Sequence, residues 1–146
     1  MEDRKLVWDK RFLDMADMVA SWSRDPSTKV GAVITREKAI VSLGFNGFAQ
    51  GVEDRDERYQ NREVKYQMVI HAEMNAIRFA AQSLDGCTIY ITIPPCSRCC
   101  SCLIQWNIKE VVTRKPSDDI LSRWGDDMKL SEEMMKEAGV IFRYVS

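Results

Sequence analysis

The sequence predicts a three-layer α/β/α domain with a mixed five-stranded sheet, its elements in the order α-β-β-α-β-α-β-α-β. Three observations carry that expectation. Segments of helical apolar period alternate with short β-branched runs, the pattern of crossover units whose helices cover both faces of a sheet. Two of the runs, 30–35 and 39–43, are parted only by Arg36, Glu37 and Lys38, which makes them an antiparallel hairpin and the sheet mixed. The chain of 146 residues is 45% hydrophobic and 29% charged, which suits one domain, 1–146, around one core.

The elements follow in order. Trp8, Phe12, Met15, Ala16, Val19 and Ala20 recur at helical spacing and predict a helix over 8–24, broken by Asp25-Pro26-Ser27. The hairpin follows. Residues 44–68 are polar, with Gly44, Gly47 and Gly51 ahead of the charge run EDRDER, and read as a long loop holding one helical turn near 54–62. An Ala-rich helix is expected over 71–82 and a central strand over 87–93, stopped by Pro94-Pro95. A short helix over 97–106, a strand over 110–113, a helix over 117–138 interrupted at Gly125, and a strand over 140–144 complete the chain.

Composition excludes several classes. Twenty-one Lys and Arg against twenty-two Asp and Glu give a net charge of −1, without the basic excess that polynucleotide binding requires. No apolar run approaches a membrane span, and the charged start MEDRKLVWDKRF has no signal-like apolar core. Five cysteines, four of them crowded into 96–102, do not make a disulfide framework; reduced thiols or a metal site in a cytoplasmic protein are the expectation.

Chemistry gathers at two helix starts. His71 is the only histidine, and Glu73 stands two residues after it. Twenty-five residues beyond His71, Cys96 and Cys99 lie three apart on the first turn of the next helix. A helix N-terminus favours thiolate, and one imidazole with two thiolates suits zinc with a fourth position left for water. A carboxylate at Glu73 reaches the same pocket only if that pocket lies beyond the helix end. There it would take a proton from zinc-bound water, whose pKa falls towards about 7, and deliver it to a substrate.

The strings H-A-E and P-C-x-x-C resemble the zinc-dependent cytidine/deoxycytidylate deaminases. The resemblance runs along almost the whole chain. Ser23-Arg24-Asp25-Pro26-Ser27-Thr28-Lys29-Val30-Gly31-Ala32 is similar to that family's S-K-D-P-S-T-x-V-G-A, Gly44-Phe45-Asn46-Gly47-Phe48 to its G-Y-N-G-x-P, and His71-Ala72-Glu73-Met74-Asn75-Ala76-Ile77 to its H-A-E-x-N-A-I. It implies the cytidine-deaminase-like fold and hydrolytic deamination of dCMP to dUMP and ammonia. His71, Cys96 and Cys99 would hold one Zn2+ and Glu73 would shuttle protons. The Ala72 N–H would meet the pyrimidine carbonyl, and Asn46 the sugar. Ser23, Arg24, Ser27 and Lys29 are the candidates for the 5′-phosphate, with Arg98 as a second. The resemblance further implies a homo-oligomer, with a hexamer favoured. It also implies dCTP as activator and dTTP as inhibitor, Mg2+ accompanying such a triphosphate. Gly44, Asn46, Gly47, Arg55 and Arg58 are the allosteric candidates.

The chain departs from the family at several points. Phe45 replaces a Tyr, and Phe48-Ala49 replaces x-Pro. Arg114-Lys115-Pro116-Ser117 stands where the family carries an aromatic residue near the nucleotide, so that contact is either missing or supplied from elsewhere, with Trp124 as a candidate. A second, structural zinc would need histidines the chain lacks.

Plainer readings compete with these. Cys100 or Cys102 as a fourth ligand would close a Cys3His structural knuckle that binds a protein partner and catalyses nothing; as small buried hydrophobes, Cys87, Cys100 and Cys102 would do neither. Met128, Met134 and Met135 read as core filler, EDRDER as a solvated face, and Asn46 as a turn residue. Within the same zinc chemistry, the rival substrates are dCTP, another cytosine nucleotide, a free (deoxy)cytidine nucleoside or a base in polynucleotide, the last opposed by the acidic charge balance.

Overall fold

The computed structural model describes residues 3–146. Helix α1 (Arg4–Ala20) is capped by the Asp3 carboxylate, and it precedes the hairpin β1 (Gly31–Arg36) and β2 (Ala39–Phe45). Then come α2 (Asp56–Gln60), α3 (Arg62–Met68), α4 (Ala72–Phe79), β3 (Thr88–Ile91), α5 (Ser97–Gln105), β4 (Glu110–Arg114), α6 (Asp118–Ala138) and β5 (Ile141–Val145). The sheet order is β2-β1-β3-β4-β5; β1 is antiparallel to β2 and β3, and β3, β4 and β5 are parallel. The mixed sheet and the α/β class agree with the sequence pattern.

Strand alternation splits the core in two. Val33, Tyr90, Val112 and Val145 turn to one face and meet Phe12, Leu13 and Ala16 of α1. Ala32, Ile34, Ile89, Ile91 and Val111 turn to the other, against Ala72 and Ala76 of α4, Cys100 and Leu103 of α5, and Met135 of α6. Among the described residues no helix is long and apolar enough to cross a membrane.

Three expectations are corrected. The polar stretch before α4 is two helices rather than a loop with one turn: Asp56 and Glu57 fall in the first turn of α2, and the Asn61 side chain caps α3. Helix α6 runs unbroken through Gly125, whose missing side chain faces open space; a glycine costs about 1 kcal/mol here, less than the burial of Met128 and Met135 returns. Helix α4 stops at Phe79 rather than 82, because Ala81 turns left-handed at φ 56°.

Topology also sets where ligands can gather. Strands β3 and β4 run to the same edge of the sheet, so α5 and α6, which follow them, both begin there. Helix α4 is anchored to that edge too. Gly47 and Ile70 exchange backbone hydrogen bonds of 3.1 and 2.8 Å immediately before His71.

Candidate metal centre and its surroundings

His71 is the N-cap of α4 and Cys96 the N-cap of α5, both with extended backbone. Cys99 lies one turn into α5. His71 Nδ1 sits 3.2 Å from Cys99 Sγ and 3.5 Å from Cys96 Sγ, and all three donor atoms lie within 4.8 Å of one another. Donors on one tetrahedral zinc, with Zn–S of about 2.3 Å and Zn–N of about 2.0–2.1 Å, would stand roughly 3.6 Å apart. Spacing and donor chemistry both fit that ion.

Electrostatics reflect three groups competing for few protons. Cys96 is lowered to about 4, first by the hydrogen bond with Cys99 and then by His71. Cys99 is pushed up by that same hydrogen bond, by burial and by the charge of Glu73. His71 is raised by its hydrogen bond with Cys96. Glu73, the second residue of α4, is 4% exposed, and burial raises its carboxyl although His71 opposes it; its side chain meets the Cys99 thiol. Ala72, the first residue of α4, is fully buried, and its backbone N–H belongs to the turn that has no partner within a helix.

Cys100 and Cys102 stay out of the cluster. Among the described residues the group able to hold an ion is His71, Cys96 and Cys99 alone. Cys100 is buried and directs its thiol at the Ser131 carbonyl, 3.5 Å away, and burial raises it to about 11.

The other expected residues form a second neighbourhood. Asn46 is buried with both ends of its amide engaged. Its Oδ1 accepts from Val30 N–H at 2.9 Å, and its Nδ2 donates to the Thr28 carbonyl at 2.9 Å. Ser23 is buried and donates to the Asn46 carbonyl. Lys29 donates to the Ser23 carbonyl, and Ser27 to Asp25. Arg24 and Arg98 are exposed. Gly44 is packed against α4, whereas Gly47 faces open space. Arg55 and Arg58 both turn back on Glu53.

Four features escaped the sequence. Asp25 is fully buried and pairs with Lys65 Nζ of α3, which lies 2.7 Å from Oδ2 and donates to Oδ1 at 3.0 Å, the oxygen that also accepts from the Ser27 and Thr28 N–H groups. Asn75 donates to the Phe45 carbonyl at 2.8 Å, tying α4 to the end of β2. Tyr66 of α3 meets Trp124 of α6 edge to face at 6.2 Å, the two rings 49% and 42% exposed. Asp127 and Ser131 of α6 contact the residues on either side of Cys96. The N in H-A-E-M-N hinted at Asn75; the rest pair residues remote in sequence.

Residues 6–115 match the family described as the cytidine and deoxycytidylate deaminase zinc-binding region. The chain is 49% identical over 133 residues to an uncharacterized deaminase in the luxG 3′ region of Aliivibrio fischeri, covering 91% of this chain and 90% of that protein. It is 34% identical over 150 residues to mouse deoxycytidylate deaminase, covering 97% and 81%. The crystal structure of the cyanophage S-TIM5 dCMP deaminase in complex with dCMP and dUMP superposes with a TM-score of 0.74 at 22% identity, over 98% of this chain and 99% of that one.

Proposed function

The chain belongs to the cytidine and deoxycytidylate deaminase family, and from that membership we propose that it converts dCMP and water into dUMP and ammonia. The carrying observation is the convergence of His71, Cys96 and Cys99 at two helix N-termini, with Glu73 buried against Cys99. In this reading those three side chains hold zinc, which when bound supplies a Lewis acid that makes water nucleophilic near neutral pH.

The chain's own residues do the rest. Glu73 accepts a proton from the attacking water and passes it to ring N3, then takes the second proton from the C4 hydroxyl and delivers it to the departing amine. Carbon C4 exchanges its C–N bond for C=O, so water and cytosine balance uracil and ammonia. The Ala72 N–H donates to the pyrimidine carbonyl, and Asn46 faces the sugar. The 5′-phosphate is assigned to Arg24, Ser27 and Lys29 on the surface of the 23–29 turn, with Arg98 as a second cation. Ser23 supports Asn46 from below rather than reaching solvent. Trp124 and Tyr66 form the aromatic wall for the ring. Asp127 stands level with the start of α5, so residues 118–126 of α6 project about 13 Å past it at 1.5 Å per residue. Trp124 is on that overhang.

Assembly as a homo-oligomer, with a hexamer favoured, is part of the same reading, as is regulation by dCTP and dTTP with Mg2+ through Gly44, Asn46, Gly47, Arg55 and Arg58. Both rest on family resemblance, and sedimentation with and without the triphosphates tests them. The substrate is tested by a panel of dCMP, dCTP, deoxycytidine and a deoxycytidine oligonucleotide on enzyme of known zinc content. The highest kcat/KM is expected for dCMP, and one zinc per chain that survives Cys100→Ser and Cys102→Ser. Preference for dCTP or the nucleoside would overturn the monophosphate assignment. Zinc lost in Cys102→Ser would restore the structural knuckle.

A further inference from the structure

We propose that Asp127 and Ser131 of α6 are positioning residues for the metal centre, holding Cys96 in place from both sides. The inference rests on the reading of His71, Cys96 and Cys99 as the ligand set.

On its helix side Cys96 is held by α5 itself, its carbonyl accepting from Cys100 N–H at 2.9 Å and its thiol from Cys99 N–H at 3.5 Å. Cys99 is inside α5, and the His71 carbonyl accepts from Asn75 N–H at 3.1 Å in the same way. On the other side of Cys96 stand Pro94 and Pro95, which have no N–H to donate, so the two residues before Cys96 add no backbone donor of their own.

Helix α6 supplies what the loop lacks. The Ser131 hydroxyl, on a side chain 2% exposed, donates to the Pro95 carbonyl at 3.1 Å. One turn earlier, the Asp127 carboxylate takes Ser97 N–H at 2.8 Å and the Ser97 hydroxyl at 2.6 Å. Residues four apart share a helix face, so a single rigid surface grips the residues immediately before and after Cys96. Both bracketing residues lie beyond position 115, outside the region that the family match covers. Groups that orient metal ligands typically set affinity by 10–100-fold, which is the scale expected here.

The test uses the full chain, stripped of metal and reloaded. Zinc affinity is read by competition with a chromophoric chelator, and site geometry by the absorption bands of the cobalt(II) form. Asp127→Ala and Ser131→Ala should each weaken zinc by about 10–100-fold and shift the cobalt bands. Asp127→Asn should keep most of the affinity, since its amide can accept from Ser97 N–H and donate to the Ser97 hydroxyl. Lys129→Ala, on the exposed side of α6, should leave both readouts at the parent value. Equal affinities and spectra for the parent and the two alanine variants would overturn the bracket while leaving the deaminase reading intact. So would an Asp127→Asn variant as impaired as Asp127→Ala. A parent chain that binds no zinc would instead overturn the ligand set, and the bracket with it.

Discussion

Gly44→Ala should damage both stability and the active site, for one steric reason. A Cβ at position 44 would lie 2.5 Å from the Ala76 nitrogen and 2.6 Å from the Ala72 carbonyl oxygen. Comfortable carbon contacts begin near 3.5 Å, so β2 and α4 must part by roughly 1 Å. Both obstructing atoms are backbone, and no rotamer change relieves them. Overpacking of this kind costs about 1–3 kcal/mol, or a factor of about 5 to 160 in the folding equilibrium. The displaced helix carries Ala72 and Glu73 in its first turn, directly after His71. A shift of about 1 Å in a reacting group can cost on the order of 10²-fold in rate. Urea unfolding and dCMP kinetics measure the two effects, with Gly47→Ala as the control. That glycine has nothing within 4 Å of an added Cβ and should change stability by less than about 0.5 kcal/mol. If Gly44→Ala kept the parent's urea midpoint and kcat/KM, the close approach of β2 to α4 would not be what positions Glu73.

Glu73→Gln should retain zinc and lose roughly 10²–10⁴-fold in turnover, because the amide cannot carry protons; full activity would remove the residue from the chemistry. Lys65→Met should cost about 3–5 kcal/mol, since it leaves the Asp25 carboxylate buried without its cation. The double variant Asp25→Asn with Lys65→Met should recover part of that loss in urea titrations, and strict additivity would refute the pairing. Acid should destabilise the fold through Asp25 and Glu110. Burial pushes both up, but Lys65 with the Ser27 and Thr28 N–H groups outweighs it at Asp25, and Arg143 with Lys5 outweighs it at Glu110. Both therefore titrate below their ordinary 3.8 and 4.5, and their stabilisation is complete above pH 4.5 and is lost as the pH falls through the lowered values. Urea midpoints measured from about pH 5 to about pH 3 should fall less steeply in Glu110→Gln; an unchanged slope would contradict the linkage.

The elements legible in the sequence are those whose signals are local. Pro94-Pro95 marks the end of β3 and the start of α5, and so places Cys96 at a helix N-cap from neighbouring residues alone. The alternation in 30–35 and 87–93 assigns Val33 and Tyr90 to one face and Ile34 and Ile89 to the other through the two-residue period of a strand. Helix α2 coincides with the turn read near 54–62, but α3 carries no such signal, and tertiary contacts rather than an apolar stripe stabilise both. Tyr59 stacks on Phe48 at 4.2 Å and donates to Asp54, while Lys65 reaches Asp25 forty positions earlier. No window of sequence contains both partners of the Asp25–Lys65 pair. The same holds within the 23–29 turn: read along the chain it offers hydroxyls and cations to a phosphate, but folded it spends Ser23, Ser27 and Lys29 partly on its own shape.

Helix α6 is much longer than the helix beside it. Its 21 residues span about 31 Å, against about 13 Å for the nine residues of α5. The two helices are held in register at Ser97–Asp127 and Pro95–Ser131. The surplus length cannot be placed evenly. Residues beyond Ser131 continue along α5 into the core at Met135, and residues before Asp127 must pass the sheet edge where His71 and Cys96 stand. Gly125 within that overhang has open space where a side chain would stand. The chain from β4 could have started a shorter helix level with α5 and still covered the sheet. Starting it nine residues earlier puts Trp124 and the contacts to Pro95 and Ser97 on one helix, so under the proposed reading a register shift of α6 would move the aromatic wall and the residues flanking Cys96 together.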